Sequence, residues 1–219
     1  MSRGVSDSDT TAGPAEPTPP HPLAVELAER LGSGTPRRCL LLGIGRGRNL
    51  APLLAAGAGV DAIEDDPKRA RAALGRSAAT ADVRVALAGY AGPYPFSGPY
   101  AGALSTHALL HGEPAAVAAA MAATHSLLER GAPFFFTLGN KHDPRFGSGV
   151  FTAPDTYARE TGAERGVAHC YFDAAGVEAL LDGFALERLE ERSATAGTWA
   201  HDADEAERIV HWFVRAHRI

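Results

Sequence analysis

The chain has two cysteines, two methionines and two tryptophans in 219 residues. Cys39 and Cys170 stand alone in apolar surroundings without CxxC spacing. Neither a disulfide scaffold nor a structural zinc site is supported, and both residues read as buried free thiols. Positive charge is not in excess: 21 Lys and Arg stand against 26 Asp and Glu, a formal charge of −5. The arginines are scattered, which argues against the basic stripe that nucleic acid requires. No apolar run approaches the roughly 20 residues needed to span a bilayer, and the N-terminus lacks the apolar core of a secretion signal. We therefore expect a soluble cytoplasmic protein, monomer or homodimer, with neither nucleic acid nor membrane as partner.

What is present is an alternation of short apolar runs, turns and helical stretches. The opening "MSRGVSDSDTTAGPAEPTPPHP" has almost no large apolar residue, so residues 1–20 are expected to form a disordered tail ahead of one domain over 21–219. In "LAVELAERL", Leu23, Leu27 and Leu31 share one helical face. From Arg38 the pattern is that of βαβ units in a parallel sheet. "CLLLG" predicts a first strand and "RNLAPLLAAG" a helix closed by Gly57. "GVDAIE" is a second strand, followed by a helix capped by Asp66 and started by Pro67. "DVRVAL", "AGALST" and "PFFFTLG" are the next strands, with the alanine-rich helix "PAAVAAAMAATHSLLERG" before the last of them. "DAAGVEALL" is a helix, and "FALERLEE" and "RIVHWFVRAHR" close the chain as strands. The fold class expected is α/β, Rossmann-like and doubly wound, with a mostly parallel seven-stranded sheet whose last strand is antiparallel. Residues 139–170 show weak periodicity, and a segment of that length leaving the carboxyl edge of the sheet reads as a cover over a site.

The first strand runs into "GIGRGRN", with Gly43, Gly45 and Gly47 at alternate positions. The dinucleotide fingerprint G-x-G-x-x-G needs its third glycine where Arg48 stands, so a nicotinamide-dependent oxidoreductase is a remote alternative. The absence of Gly-Lys-Ser/Thr removes the P-loop. Glu64 ends the second strand about twenty residues later, where a carboxylate can accept both hydroxyls of a ribose.

Taken with "AIEDDP", "ALSTHALLHG" and "LLERGAPFFFTLG", the glycine loop resembles class I S-adenosylmethionine-dependent methyltransferases, in matching order from about Arg38 to the C-terminus. "STHALLHG", "LGNKHDPRFG", "GVAHCYFDAAGVEALL" and "HWFVRAHR" resemble more narrowly the small bacterial enzymes assigned small-molecule substrates, including relatives of tellurite and thiol methyltransferases. The resemblance implies S-adenosylmethionine as cofactor and a small-molecule methyl acceptor as partner. It implies that Gly43, Gly45 and Gly47 lie against the cofactor, that Asn49 caps the next helix or binds near the methionine end, and that Glu64 holds the ribose. Leu87, Ala88 and Gly89 would flank the adenine, and Ser105 and Thr106 would meet the methionine amine and the sulfonium. Three positions where the family usually has an acid read Leu41, Ala88 and Ala101. They support the alternative of a non-catalytic, adenosyl-binding relative.

His107 and His169 fall in loops at the same edge and are taken as catalytic candidates, acting on the acceptor as hydrogen-bond donor or general base. His107 and His111, four apart, would share a face on a helix as metal ligands do, with His142, Asp143, His169 or Cys170 as conceivable third ligands. No glutamate follows the first histidine as in H-E-x-x-H, and no metal is assigned. His211 and His217 are expected at the solvent face or sheet margin. Arg46 and Arg48 read equally as anion partners or surface charge. Tyr90, Tyr94, Phe96 and Tyr100 belong either to an adenine wall or to a loop packed on its own domain.

Overall fold

Continuous burial along the short central strands builds two apolar faces on one sheet. The computed structural model describes residues 18–32, 37–77, 82–162, 164–195, 198–199 and 208–219. The tail expectation rests on residues 1–17, which lie outside the described residues; 18–20 are exposed and form no helix or strand.

Helix α1 (Pro22–Leu31) starts at His21, whose ring nitrogen accepts from Leu23 N–H, and ends at Gly32, where φ is +66°. Leu23, Leu27 and Leu31 are buried together as expected. Strand β1 (Arg37–Leu42), helix α2 (Leu50–Ala55), strand β2 (Ala58–Glu64), helix α3 (Pro67–Ser77) and strand β3 (Val83–Leu87) follow. Asp66 caps α3, accepting from Lys68 N–H at 2.7 Å and Arg69 N–H at 3.2 Å. Strand β4 (Gly102–Ser105), helix α4 (Pro114–Leu127) and strand β5 (Pro133–Asn140) complete the parallel half. Between β3 and β4 no helix forms; Tyr90, Tyr94 and Phe96 pack their loop against the core.

α4 ends earlier than Gly131 because Tyr100 claims the chain. Tyr100 N–H donates to Leu127 O, and Glu129 N–H donates to Tyr100 O, a parallel bridge that draws Leu128 out of helical geometry. The run Phe134–Phe136 divides between the faces: Phe134 and Phe136 join the cluster under α4, and Phe135 joins the one under α1. Burial on both faces is why the run shows no alternation.

Residues 139–170, which the sequence left without elements, form strands β6 (Val150–Ala153) and β7 (Thr156–Ala158) and most of β8 (Ala168–Phe172). β4 pairs only with Phe134–Phe136 of the longer β5, and β8 takes over the same edge, pairing in parallel with Gly139 and Asn140. The insertion thereby covers a strand edge that would otherwise be unpaired. Helix α5 (Ala174–Ala179), strand β9 (Phe184–Ala194) and strand β10 (Ile209–Arg218) finish the chain. β10 lies between β5 and β9 and is antiparallel to both.

Cys39 and Cys170 are free and fully buried, and burial pushes both thiols up to about 12. A thiolate-directed reagent should label neither in the folded protein and both after unfolding, which a timed thiol assay with and without denaturant measures.

Candidate functional site

The carboxyl ends of β1, β2 and β4 meet at the glycine loop. Gly43, Gly45 and Gly47 all have positive φ, at +81°, +51° and +79°, and Gly43 N–H donates to Ile63 O across to β2. The turn thus needs residues without a Cβ at all three positions.

Glu64, at the end of β2, is fully buried. Its carboxylate accepts from Gly45 N–H at 2.9 Å and Asp66 N–H at 3.2 Å, and the Tyr90 hydroxyl lies 3.3 Å away. Burial raises its pKa, the two N–H groups pull it back, and Asp65 adds repulsion; the net direction is upward. Tyr90 also reaches Asp65 at 3.1 Å. Burial and then these two carboxylates push the phenol well above its ordinary range, so it stays a neutral donor. Leu87, level with Glu64 on β3, is 59% exposed, and Ala88 N–H donates to Glu64 O.

Asn49 does not cap α2 with its side chain. It accepts from His21 N–H at 3.0 Å and donates to Thr106 Oγ1 at 2.9 Å, stapling the start of α1 to the end of β4. Ser105 is buried, with no hydrogen-bond partner for its hydroxyl among the described residues. The loop after β4 presses on the glycines: a Cβ built on Gly43 would lie 2.6 Å from Ala108 Cβ and 3.6 Å from the Tyr90 hydroxyl.

His107 and His111 are not on a helix. His107 has φ +60°, takes Thr137 Oγ1 as acceptor for its N–H, and sets its ring beside Trp199, His21 and His211. His111 instead faces His169 across a β-bridge, with Glu164 against both. The two catalytic candidates therefore belong to different clusters. His211, expected at the margin, is buried, and burial, followed by the charge of Arg145, pushes it down to about 3. His217 is half-buried against Glu187. Arg48 donates to Trp199 O. Tyr100 lies in the core, away from any wall of the loop, with its hydroxyl on Asp61.

The strand order β3-β2-β1-β4-β5-β10-β9, with only β10 reversed, is now joined to a glycine loop after β1 and an acid after β2. No family model and no curated protein matches the chain. Solved structures do. A SAM-dependent methyltransferase from Methanosarcina mazei superposes with TM-score 0.69 at 12% identity, covering 85% of this chain and 94% of its own. The N-methyltransferase NodS of Bradyrhizobium japonicum, in complex with S-adenosyl-L-homocysteine, gives 0.63 at 11% identity over 90% and 84%. The 1,6-didemethyltoxoflavin-N1-methyltransferase of Burkholderia thailandensis, with 1,6-didemethyltoxoflavin and S-adenosylhomocysteine bound, gives 0.62 at 19% identity over 90% and 76%. The chain has the class I methyltransferase fold. Within that methyltransferase fold, Leu41 packs in the apolar cluster under α1, and Ala88 and Ala101 offer no polar side chain.

Sequence reasoning named the glycines, Glu64, Ser105 and Thr106, which the fold gathers at one sheet edge, but it did not name His21, Ala108 or Glu164, which contact Asn49, the glycine turn and the His111–His169 pair. None of these carries a local signal. His21 precedes a proline, Ala108 is one alanine among many, and Glu164 sits in a turn without periodicity.

Proposed function

We propose that the chain binds S-adenosylmethionine at the glycine loop and transfers its methyl group to a small-molecule acceptor. The observation that carries this is Glu64: a buried carboxylate at the end of β2, bonded to the N–H of the loop's central glycine. A ribose would exchange its hydroxyls for that of Tyr90, so the carboxylate stays hydrogen-bonded throughout. Leu87, exposed beside Glu64, and the backbone of Ala88 and Gly89 would flank the base. Ser105, with its unspent hydroxyl, and Thr106 would meet the methionine end, with Asn49 holding Thr106 in place. The bound cofactor supplies an electrophilic methyl carbon. The protein's part is to align the acceptor lone pair with it and exclude water. His107 lies one residue beyond Thr106 and would orient the acceptor. His169, paired with Glu164, would act only from the far side of the β4 loop, and the β6–β8 insertion would serve as its cover.

Calorimetry should detect S-adenosylhomocysteine binding and no NAD binding. Glu64→Ala should weaken the former by about 1–3 kcal/mol, or roughly 5- to 150-fold. NAD binding without adenosyl-ligand binding would reject the reading in favour of an oxidoreductase.

A second reading, a non-catalytic adenosyl-binding protein, is favoured by the contact of Ala108 with Gly43 and by Leu41, Ala88 and Ala101. Labelled methyl transfer to thiol, chalcogenide, amine and hydroxyl acceptors separates the two. Cofactor binding without transfer to any of them supports the second.

A further inference from the structure

We propose that His111, Glu164 and His169 form a binding site for a divalent transition-metal cation of the zinc class, with a coordination position left open to solvent. The three side chains come from the loop after β4, the turn between β7 and β8, and β8 itself, and one donor atom from each lies within 4.8 Å of the others.

Two of the ligands are held by backbone. Cys170 N–H donates to Leu110 O at 2.9 Å and Gly112 N–H to Ala168 O at 2.8 Å, so His111 and His169 form the non-hydrogen-bonded pair of an antiparallel bridge. That is the pairing in which side chains on one face stand closest. Their rings are 4.9 Å apart between centroids. Glu164 is fixed by its own turn, where Val167 N–H donates to Glu164 O at 2.9 Å.

The hydrogen-bond inventory of His169 points the same way. Its Nδ1 lies 3.0 Å from Val167 O, a pure acceptor, so Nδ1 carries the proton. Nε2 then faces Glu164 Oε2 at 3.0 Å. In a neutral imidazole that nitrogen is a lone pair, and two lone pairs face each other unless a cation sits between them. A backbone carbonyl holding the remote ring nitrogen is the arrangement that orients metal-binding histidines. Glu164 offers its second oxygen to His111 Nε2 at 3.5 Å. Tetrahedral bonds of about 2.0–2.1 Å set neighbouring donors about 3.3 Å apart; the two histidine–carboxylate separations, one to each Glu164 oxygen, lie on either side of that value, and the three donors all lie within 4.8 Å of one another. The side chains of Glu164 and His111 keep 27% and 16% of their surface exposed, against 5% for His169, so a cation has a way in and a fourth ligand has room. Two histidines and a carboxylate with one open position match the donor set of zinc sites that bind a further small ligand.

The test needs neither methyl donor nor acceptor. The metal-stripped full-length chain is titrated with Zn²⁺ by calorimetry, and with Co²⁺ while the visible absorption is followed. The expected result is one Zn²⁺ per chain and a Co²⁺ spectrum of low coordination number. His111→Ala, a change at a partly exposed side chain, and Glu164→Gln should each weaken Zn²⁺ by about 100-fold or more, beyond the cost of an outer-shell change. His169→Ala should do the same, and circular dichroism identifies any variant that has failed to fold. His107→Ala should leave the affinity unchanged. Three results would overturn the proposal: no binding at micromolar Zn²⁺, equal binding by wild type and the His111 and Glu164 variants, or loss of binding in the His107 variant. The first of these would mean that a proton, shared in an ordinary His–Glu ion pair, is the cation between the groups.

Discussion

Asp61→Ala should lower stability by about 3 kcal/mol, the low end for breaking a buried ion pair. For a chain of this size that corresponds to a fall of roughly 6–12 °C in melting temperature, measurable by calorimetry. Asp61 is completely buried in the middle of β2, where Arg38 from β1, Arg84 from β3 and the Tyr100 hydroxyl at 2.8 Å converge on its two oxygens. Removing the carboxylate leaves that hydroxyl buried without its partner. Both arginines keep a path to water, with 36% and 53% of their side chains exposed, which holds the cost at the low end. Burial alone would raise the pKa of Asp61; the bonds from Arg84, Arg38 and Tyr100 outweigh it and bring the carboxyl down to about 2. Since the folded value lies below the unfolded one of about 3.9, the contribution is complete above that pH. It disappears as pH falls from about 4 towards 2. The wild type should therefore lose more stability across that window than Asp61→Ala does, and parallel slopes would remove Asp61 from the ledger.

Gly43→Ala should cost about 2–5 kcal/mol, the sum of about 1–3 for overpacking and about 1–2 for a left-handed backbone at a residue with a Cβ. The new methyl group would lie 2.6 Å from Ala108 Cβ, and φ at this position is +81°. The two contributions separate in a double variant. Adding Ala108→Gly removes the steric clash and should recover the overpacking part only, leaving the backbone cost. Chemical denaturation of the two single variants and the double measures the coupling. Full recovery would mean that the loop tolerates the left-handed conformation. No loss in Gly43→Ala would mean that the β4 loop yields and does not press on the glycine turn.

The strands β1–β5, β9 and β10, the Asp66 cap and the glycine turn were legible in the sequence. Each depends on neighbours within a few residues: a short apolar run bounded by turns, a capping side chain two or three residues from its N–H, a glycine where φ must be positive. Glu64 was legible for a related reason, because a strand end fixes where an acid must stand relative to the loop beside it. The identity of its present partner was not. Tyr90 reaches Glu64 from 26 residues away, beyond α3 and β3, and nothing local distinguishes it from Tyr94 or Tyr100. The pairing of His111 with His169 was hidden in the same way. A helical spacing rule joined His111 to His107, but the chain turns after β4, and the free edge of β5 recruits β8, bringing His169 and Glu164 to His111. By itself the sequence determined the glycine turn, the Asp66 cap and the apolar runs of the main strands, since those preferences act within a few residues. Only the tertiary structure decided which side chains fill the mouth of the glycine loop and which histidines meet, because those contacts depend on how strands of unequal length share an edge.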